Sequence, residues 1–241
     1  MFFDPLYLLF AIPGLIIGGL ASMYTHSMFS EYSRKRASSG MTGAEAAEVM
    51  LHRAGIYDVR IERVDGFLSD HYDPSARTLR LSPNVYDSDS LSAIGVACHE
   101  AGHALQHAAQ YAPLGLRSAL VPLCNISSFL SYIVVLIGFL FQSGSMVMFG
   151  ALLFSAMVVF SIVTLPVEWD ASSRAKQLMV TAGIVSPAER EQAGKVLNAA
   201  FLTYVAAVVS SEVSVACSSG GSGERFSTES RMAFSSSGVS G

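Results

Sequence analysis

The sequence predicts a mainly α-helical membrane protein, with about four transmembrane helices packed with a part outside the bilayer that holds a small β-hairpin or three-stranded ribbon and one histidine-bearing helix. Three observations lead there. Only 14% of the 241 residues are charged and 51% are hydrophobic, whereas about a quarter are charged in an ordinary soluble domain. Residues 118–167 contain no Asp, Glu, Lys or Arg, a length sufficient for two spans of about 20 residues and the turn between them. The run from Ser90 to Tyr111 carries His99, Glu100 and His103 at helical spacing. A net charge of −4 without a basic stripe excludes nucleic acid as a partner. The lipid bilayer is the partner the composition demands. Cys98, Cys124 and Cys217 are too scattered for a disulfide framework and read as buried thiols.

Taken in order, residues 1–23 form an N-terminal transmembrane anchor, because Tyr7 to Met23 is apolar and uncharged, with Pro13 and Gly14 able to bend it. No small-residue cleavage pattern marks it as a removed signal. Residues 24–119 form the main segment outside the bilayer. Within it Thr42-Gly-Ala-Glu45 has the form of a capping box and opens a helix that Gly55 ends. Val59 to Val64 and Leu79 to Leu81 alternate apolar and polar residues and read as strands, with Asp65-Gly66 as a turn. Asp89 or Ser90 caps a helix that runs to about Tyr111 and stops before Pro113. Residues 120–165 form a transmembrane helical hairpin turning at Gln142 to Ser145, residues 166–195 a second segment outside the bilayer, and residues 196–217 a fourth span that weakens at Ser210-Ser211-Glu212. The Ser/Gly-rich tail, residues 218–241, is predicted to be disordered.

Basic residues accumulate in cytoplasmic loops. Of the 15 Lys and Arg, nine lie between residues 24 and 119 and four between 166 and 195, with none in the N-terminal stub or the 142–145 turn. Both segments outside the bilayer are therefore predicted to be cytoplasmic.

The chemistry concentrates in His99-Glu100-Ala101-Gly102-His103, an HExxH pattern. Two His at i and i+4 rise about 6 Å along one helix face, so both imidazoles can grip one zinc while the adjacent Glu reaches its water. A zincin-like catalytic helix, with one catalytic Zn2+ and Glu100 as base, is the expectation. The competing reading is a pair of satisfied core histidines. A catalytic zinc needs a third protein ligand. His107 lies eight residues from His99, about 12 Å along the axis and too far to share the ion, so it supports a ligand or faces solvent. Glu168 is the leading candidate, as the first acid after the uncharged stretch and on the predicted cytoplasmic face. Asp170 beside it orients a ligating His or rivals Glu168 as ligand. Asp70-His71-Tyr72-Asp73-Pro74 could close on the metal as substrate binder or oxyanion stabiliser, or serve as a polar turn leaving a strand. His26 and His52, without partners nearby in the sequence, read as surface residues. Glu212 lines a cavity or marks a frayed span end.

These residues resemble the YugP-like putative neutral zinc membrane metallopeptidase family. The carrying motifs are Thr42 to Ala47, Asp70 to Pro74 followed by Leu81-Ser82, His99 to His107, Tyr111 to Leu114, Leu165 to Ala171 and Val196 to Ala200. The resemblance covers about residues 5–209. It implies a zinc-dependent membrane peptidase of the bacterial cell membrane, with His99 and His103 as ligands, Glu100 as catalytic acid/base and a protein or peptide as substrate. The stretch from Glu168 to Ala171 is similar to the third-ligand motif of HtpX-type membrane proteases, in which a small residue lets the two helices pack closely.

The function expected is hydrolysis of peptide bonds at the cytoplasmic membrane surface, with the strand at Leu79 to Leu81 pairing an extended substrate. One alternative is an intramembrane-cleaving zinc protease, against which stand the polar residues Asp87, Asp89, Gln106 and His107 in and around the helix. The other is a non-catalytic zinc-binding scaffold or adaptor, which only activity distinguishes. Oligomeric state is not legible in the sequence.

Overall fold

The computed structural model describes residues 5–66 and 69–209. Its elements are α1 (Pro5–Tyr32), α2 (Gly43–Arg53), β1 (Arg60–Arg63), β2 (His71–Asp73), β3 (Thr78–Leu81), α3 (Pro83–Tyr86), α4 (Leu91–Ala108), α5 (Ala112–Leu140), α6 (Gly144–Thr181) and α7 (Pro187–Val209). Among the described residues, α5, α6 and α7 are long and apolar enough to cross a membrane. The predicted anchor falls on α1 apart from residues 1–4, which lie outside the described residues, and α1 continues past residue 23 to Tyr32. The predicted tail, Glu212 and Cys217 also lie outside them.

The chain divides into two compact units. One, which among the described residues takes in 5–18, 119–162 and 206–209, contains all but the last residues of the predicted hairpin. Its α5 and α6 pack through small residues: a Cβ on Gly150 would stand 2.4 Å from a Val135 methyl, and Ser131 donates to the Gly150 carbonyl at 3.0 Å. Close backbone approach and serine bonds of this kind hold helices together where lipid removes the hydrophobic driving force. Phe129, Leu136 and Leu152 point outward, as lipid-facing side chains do. The turn comes at Gln142, which takes a positive φ of 52°.

The other unit, residues 19–118 and 163–205, is built around α4. Ser90 caps α4 by accepting from the Ala93 N–H, and the helix ends at Ala108, where Gln110 turns the chain with φ 51°. The predicted capping box on α2 forms: Thr42 accepts from the Glu45 N–H, and Glu45 accepts from the Thr42 N–H. Met50, Leu51, Leu79, Leu81 and Met179 are buried and form the core with Ile94 of α4.

The sheet has the order β1-β3-β2, with β1 parallel and β2 antiparallel to β3. This corrects the strand expectation. Leu79 to Leu81 occupy the centre, with both edges paired, so β3 has no free edge to offer a substrate. The edges are β1 and β2, and β2 is drawn from the Asp70 to Pro74 cluster. Here the turn reading also holds, since Asp73 accepts from the Ser75 and Ala76 N–H groups as the chain leaves the strand.

Three further helix bounds differ from the expected segments. Helix α5 begins at Ala112, well before residue 120, because α4 stops one turn early and Pro113 suits a first helical turn. Helix α6 runs uninterrupted from the apolar stretch through Pro166 to Thr181, so Glu168 sits on a continuation of the hydrophobic helix. Helix α7 begins at Pro187, where Ser186 and Glu189 form a reciprocal cap, and not at 196.

Candidate active site

The site forms where α4 and α6 touch. Gly102 makes this possible, because a Cβ there would meet the Ala171 carbonyl oxygen at 2.6 Å. The helices approach until only hydrogen fits between them, which brings side chains 69 residues apart into contact: His99 Nε2 lies 3.1 Å from Glu168 Oε2. His103, one turn along α4, has its Nε2 3.7 Å from the same oxygen. The two imidazoles stand nearly perpendicular, at 79°.

His99, His103 and Glu168 each offer one donor atom, all within 4.8 Å of one another. Two ligands at zinc distances in a tetrahedral shell stand roughly 3.4 Å apart, and the observed 3.1 and 3.7 Å bracket that value. Glu168 is 1% exposed, and its Oε1 makes no hydrogen bond, although the Arg117 guanidinium is 3.2 Å away. The Arg117 guanidinium balances Oε1, whereas Oε2, turned to both imidazoles, is the oxygen placed to share a cation with them. Two imidazoles and a carboxylate are a donor set that zinc accepts, and the residues present fit it.

Each histidine is held from behind. His99 Nδ1 lies 3.0 Å from Ser172 Oγ, one turn beyond Glu168 on α6. His103 Nδ1 lies 3.0 Å from Gln106 Oε1. The Gln106 amide nitrogen donates to the Val167 carbonyl at 2.8 Å and to Asp170 Oδ2 at 2.9 Å, and Arg174 Nε donates to the same Asp170 oxygen at 2.6 Å. Asp170 therefore touches no histidine directly. It braces Gln106, which holds His103.

Glu100 lies between the two histidines in sequence, and its Oε2 accepts from the Tyr72 N–H at 3.1 Å. Tyr72 pairs with Leu79 across the antiparallel ladder, and its N–H points away from β3, from the sheet edge toward α4. Burial pushes the Glu100 pKa above the ordinary glutamate value, while the His103 and His99 imidazoles pull it back. The Tyr72 hydroxyl pairs with His107 Nδ1 at 2.9 Å, so His107 faces the β2 side chain instead of the donor cluster.

The other residues of the Asp70 to Asp73 cluster are placed as follows. Asp70 accepts from the Ser82 N–H and hydroxyl, His71 is exposed, and Asp73 pairs with Arg80. His26 and His52 are exposed as expected, but both have neighbours: His52 rests against the Tyr57 ring with centroids 5.1 Å apart, and His26 too makes contact. Cys98 and Cys124 are buried free thiols. Burial pushes the Cys98 thiol up to about 12, which keeps it from acting as a nucleophile.

Four residues at the site were not singled out by the motifs. Gln106 and Ser172 follow His103 and Glu168 at i+3 and i+4, a spacing that places them on the same helix faces. Arg117 carried only an orientation signal. Tyr204 of α7 stands within electrostatic reach of Glu168, Glu100 and Arg117, and nothing in its local sequence marks it.

Residues 7–217 match a family model described as "putative neutral zinc metallopeptidase". A curated relative, the "putative membrane protease YugP" of Bacillus subtilis (strain 168), is 47% identical over 204 residues, covering 85% of this chain and 91% of the relative. No solved structure matches. A family match that begins in α1 and ends beyond α7, in a chain whose buried carboxylate converges with two histidines, assigns this membrane protein to the putative neutral zinc metallopeptidases.

Proposed function

We propose that the protein is a zinc-dependent endopeptidase that hydrolyses peptide bonds at the cytoplasmic face of the bacterial cell membrane. The observation that carries this reading is the convergence of His99, His103 and Glu168 beside Glu100. His99, His103 and Glu168 would hold one zinc ion, which when bound polarises a peptide carbonyl and makes water nucleophilic near neutral pH.

Glu100 is the acid/base. Its carboxylate takes a proton from water as the oxygen attacks the carbonyl carbon, then gives that proton to the nitrogen as the C–N bond breaks, leaving one new carboxyl terminus and one amine. The Tyr72 N–H fixes the carboxylate in place. An extended substrate would lie along β2, the sheet edge that faces Glu100.

The cytoplasmic orientation rests on the distribution of basic residues. Single cysteines at Ser38 and Thr181 should react only once the inner face is exposed, and one at Ser143 should react from outside. Labelling of position 38 from outside in intact cells reverses the orientation. For the chemistry, Glu100→Gln should keep zinc in the purified protein and lower casein or peptide cleavage by about 10²–10⁴-fold, the usual worth of a positioned base. Wild-type cleavage by Glu100→Gln overturns the mechanism, and undiminished wild-type cleavage after a chelator has removed the metal overturns the role of zinc.

A further inference from the structure

A cleft of about 760 Å³ lies between β2 and the last turn of α4 and continues along the first turns of α5, with Tyr72, the residue bonded to Glu100, in its wall. We infer that it is the specificity subsite of the proposed peptidase and takes a large apolar side chain, above all an aromatic one, of the substrate. This rests on the peptidase reading and goes beyond it by naming the residue class selected.

Position is the first argument. Tyr72 joins cleft and reacting centre, since its main-chain N–H is bonded to Glu100 and it also lines the cleft. The cleft extends to His107, seven residues after Glu100 on α4, about 10 Å along the helix axis. An extended peptide covers that distance in roughly three residues, so a side chain one to three residues from the scissile bond reaches it.

Shape is the second. Along the helices four of the lining residues are small, Ala104 and Ala108 on α4 and Ala112 and Gly115 on α5, with His107 and Leu114 between them. Aromatic surface comes from Tyr72 and Tyr111, the latter in the turn between those helices, and aliphatic surface from Ile56, Val59 and Leu114. Small residues between aromatic ones leave depth for a ring, and ring faces reward another ring placed edge-on or offset.

Polarity is the third. The Tyr72 hydroxyl and His107 satisfy one another at 2.9 Å, and Asp58 and Arg77 are joined in an ion pair. A charged side chain entering would lose water and find the opposite charge already engaged, whereas an apolar one loses nothing.

The test uses zinc-loaded full-length protein in detergent and two peptides that differ only in carrying Phe or Ala at one position, scanned across three residues on either side of the cleaved bond. The expected result is a position at which Phe is preferred to Ala by about tenfold or more in kcat/KM, the scale of a filled apolar pocket. Gly115→Phe and Ala108→Phe place bulk in the cleft without disturbing the core, since Ala108 is exposed and a Cβ on Gly115 meets nothing within 4 Å. Either variant should collapse the Phe/Ala ratio toward one by raising KM for the Phe peptide. A ratio unchanged in both variants, or no preference at any position, overturns the subsite. If no peptide is cleaved, the peptidase reading fails, and binding still decides the subsite: a benzoylphenylalanine peptide irradiated with Glu100→Gln should cross-link to Tyr72 or Tyr111, and cross-links elsewhere or none overturn it.

Discussion

The Gln106 amide decides which nitrogen of His103 carries the proton. Its nitrogen already donates to two acceptors, the Val167 carbonyl and Asp170, so the atom facing His103 is Oε1, an acceptor. His103 Nδ1 must then be the donor, which leaves the Nε2 lone pair directed at the donor cluster. Gln106→Leu removes that acceptor and should weaken zinc binding by about 10–100-fold, measured by competition with a chromophoric chelator. In the ¹⁵N spectrum of metal-free protein, His103 should be the Nδ1–H tautomer in the wild type and a mixture in the variant. An unchanged tautomer would show that the amide does not set it.

Glu168→Ala should be the most damaging single change at the site, because it leaves two imidazoles and no third ligand. Zinc content and cleavage should both fall to background. Asp170→Asn should cost no more than about tenfold in zinc affinity, because Asp170 acts through Gln106 and retains an oxygen for it. Zinc lost in Asp170→Asn and retained in Glu168→Ala would transfer the ligand role to Asp170.

Gly102→Ala tests the helix contact that assembles the site. The added methyl would stand 2.6 Å from the Ala171 carbonyl oxygen, so α4 and α6 must part. Overpacking of this kind costs about 1–3 kcal/mol, and zinc affinity should fall with it. Gly95→Ala is the matched control, with its nearest neighbour, the Ala193 carbonyl oxygen, at an ordinary 3.5 Å. Thermal unfolding in detergent should separate the two, and equal effects would remove the argument from close approach.

The β2–β3 turn should respond to acid. Asp73 sits below its ordinary pKa of 3.8 because it accepts the Ala76 N–H and a bond from Arg80, which together with the Ser75 N–H outweigh the opposing effect of burial. A depressed carboxylate contributes stability that is present above its unfolded pKa and lost as pH falls through the folded one. Carbon-detected NMR should therefore place the Asp73 midpoint below 3.8, and Arg80→Gln should raise it. A midpoint at or above 3.8 in the wild type would contradict the turn geometry.

Much of this protein was legible along the chain because the relevant physics is local. Absence of charge over residues 118–167 required helices in lipid, and the Thr42 and Ser90 caps set helix starts within one turn. The i, i+4 spacing of His99 and His103 put both rings on one face, and Glu168 stood out as the first acid after an apolar stretch. What the sequence left open depended on contacts between distant segments. Strand order was one such case: β3 became central because β1 pairs directly and parallel with it, skipping β2, which lies between them in the sequence, a choice that alternation of apolar residues does not encode. The partners of the histidines were another, since Ser172 approaches His99 only after Gly102 lets α6 settle against α4. Arg117 and Tyr204 reach Glu168 from two further helices, and no spacing rule joins residues on separate elements. Periodicity, caps and charge gaps are properties of neighbouring residues, so the sequence determined the helices and two of the three donor atoms. The assignment of Glu168 over Asp170 to the donor cluster was decided by packing, because both lie on one turn of α6 and only the rotation of that helix against Gly102 turns one inward.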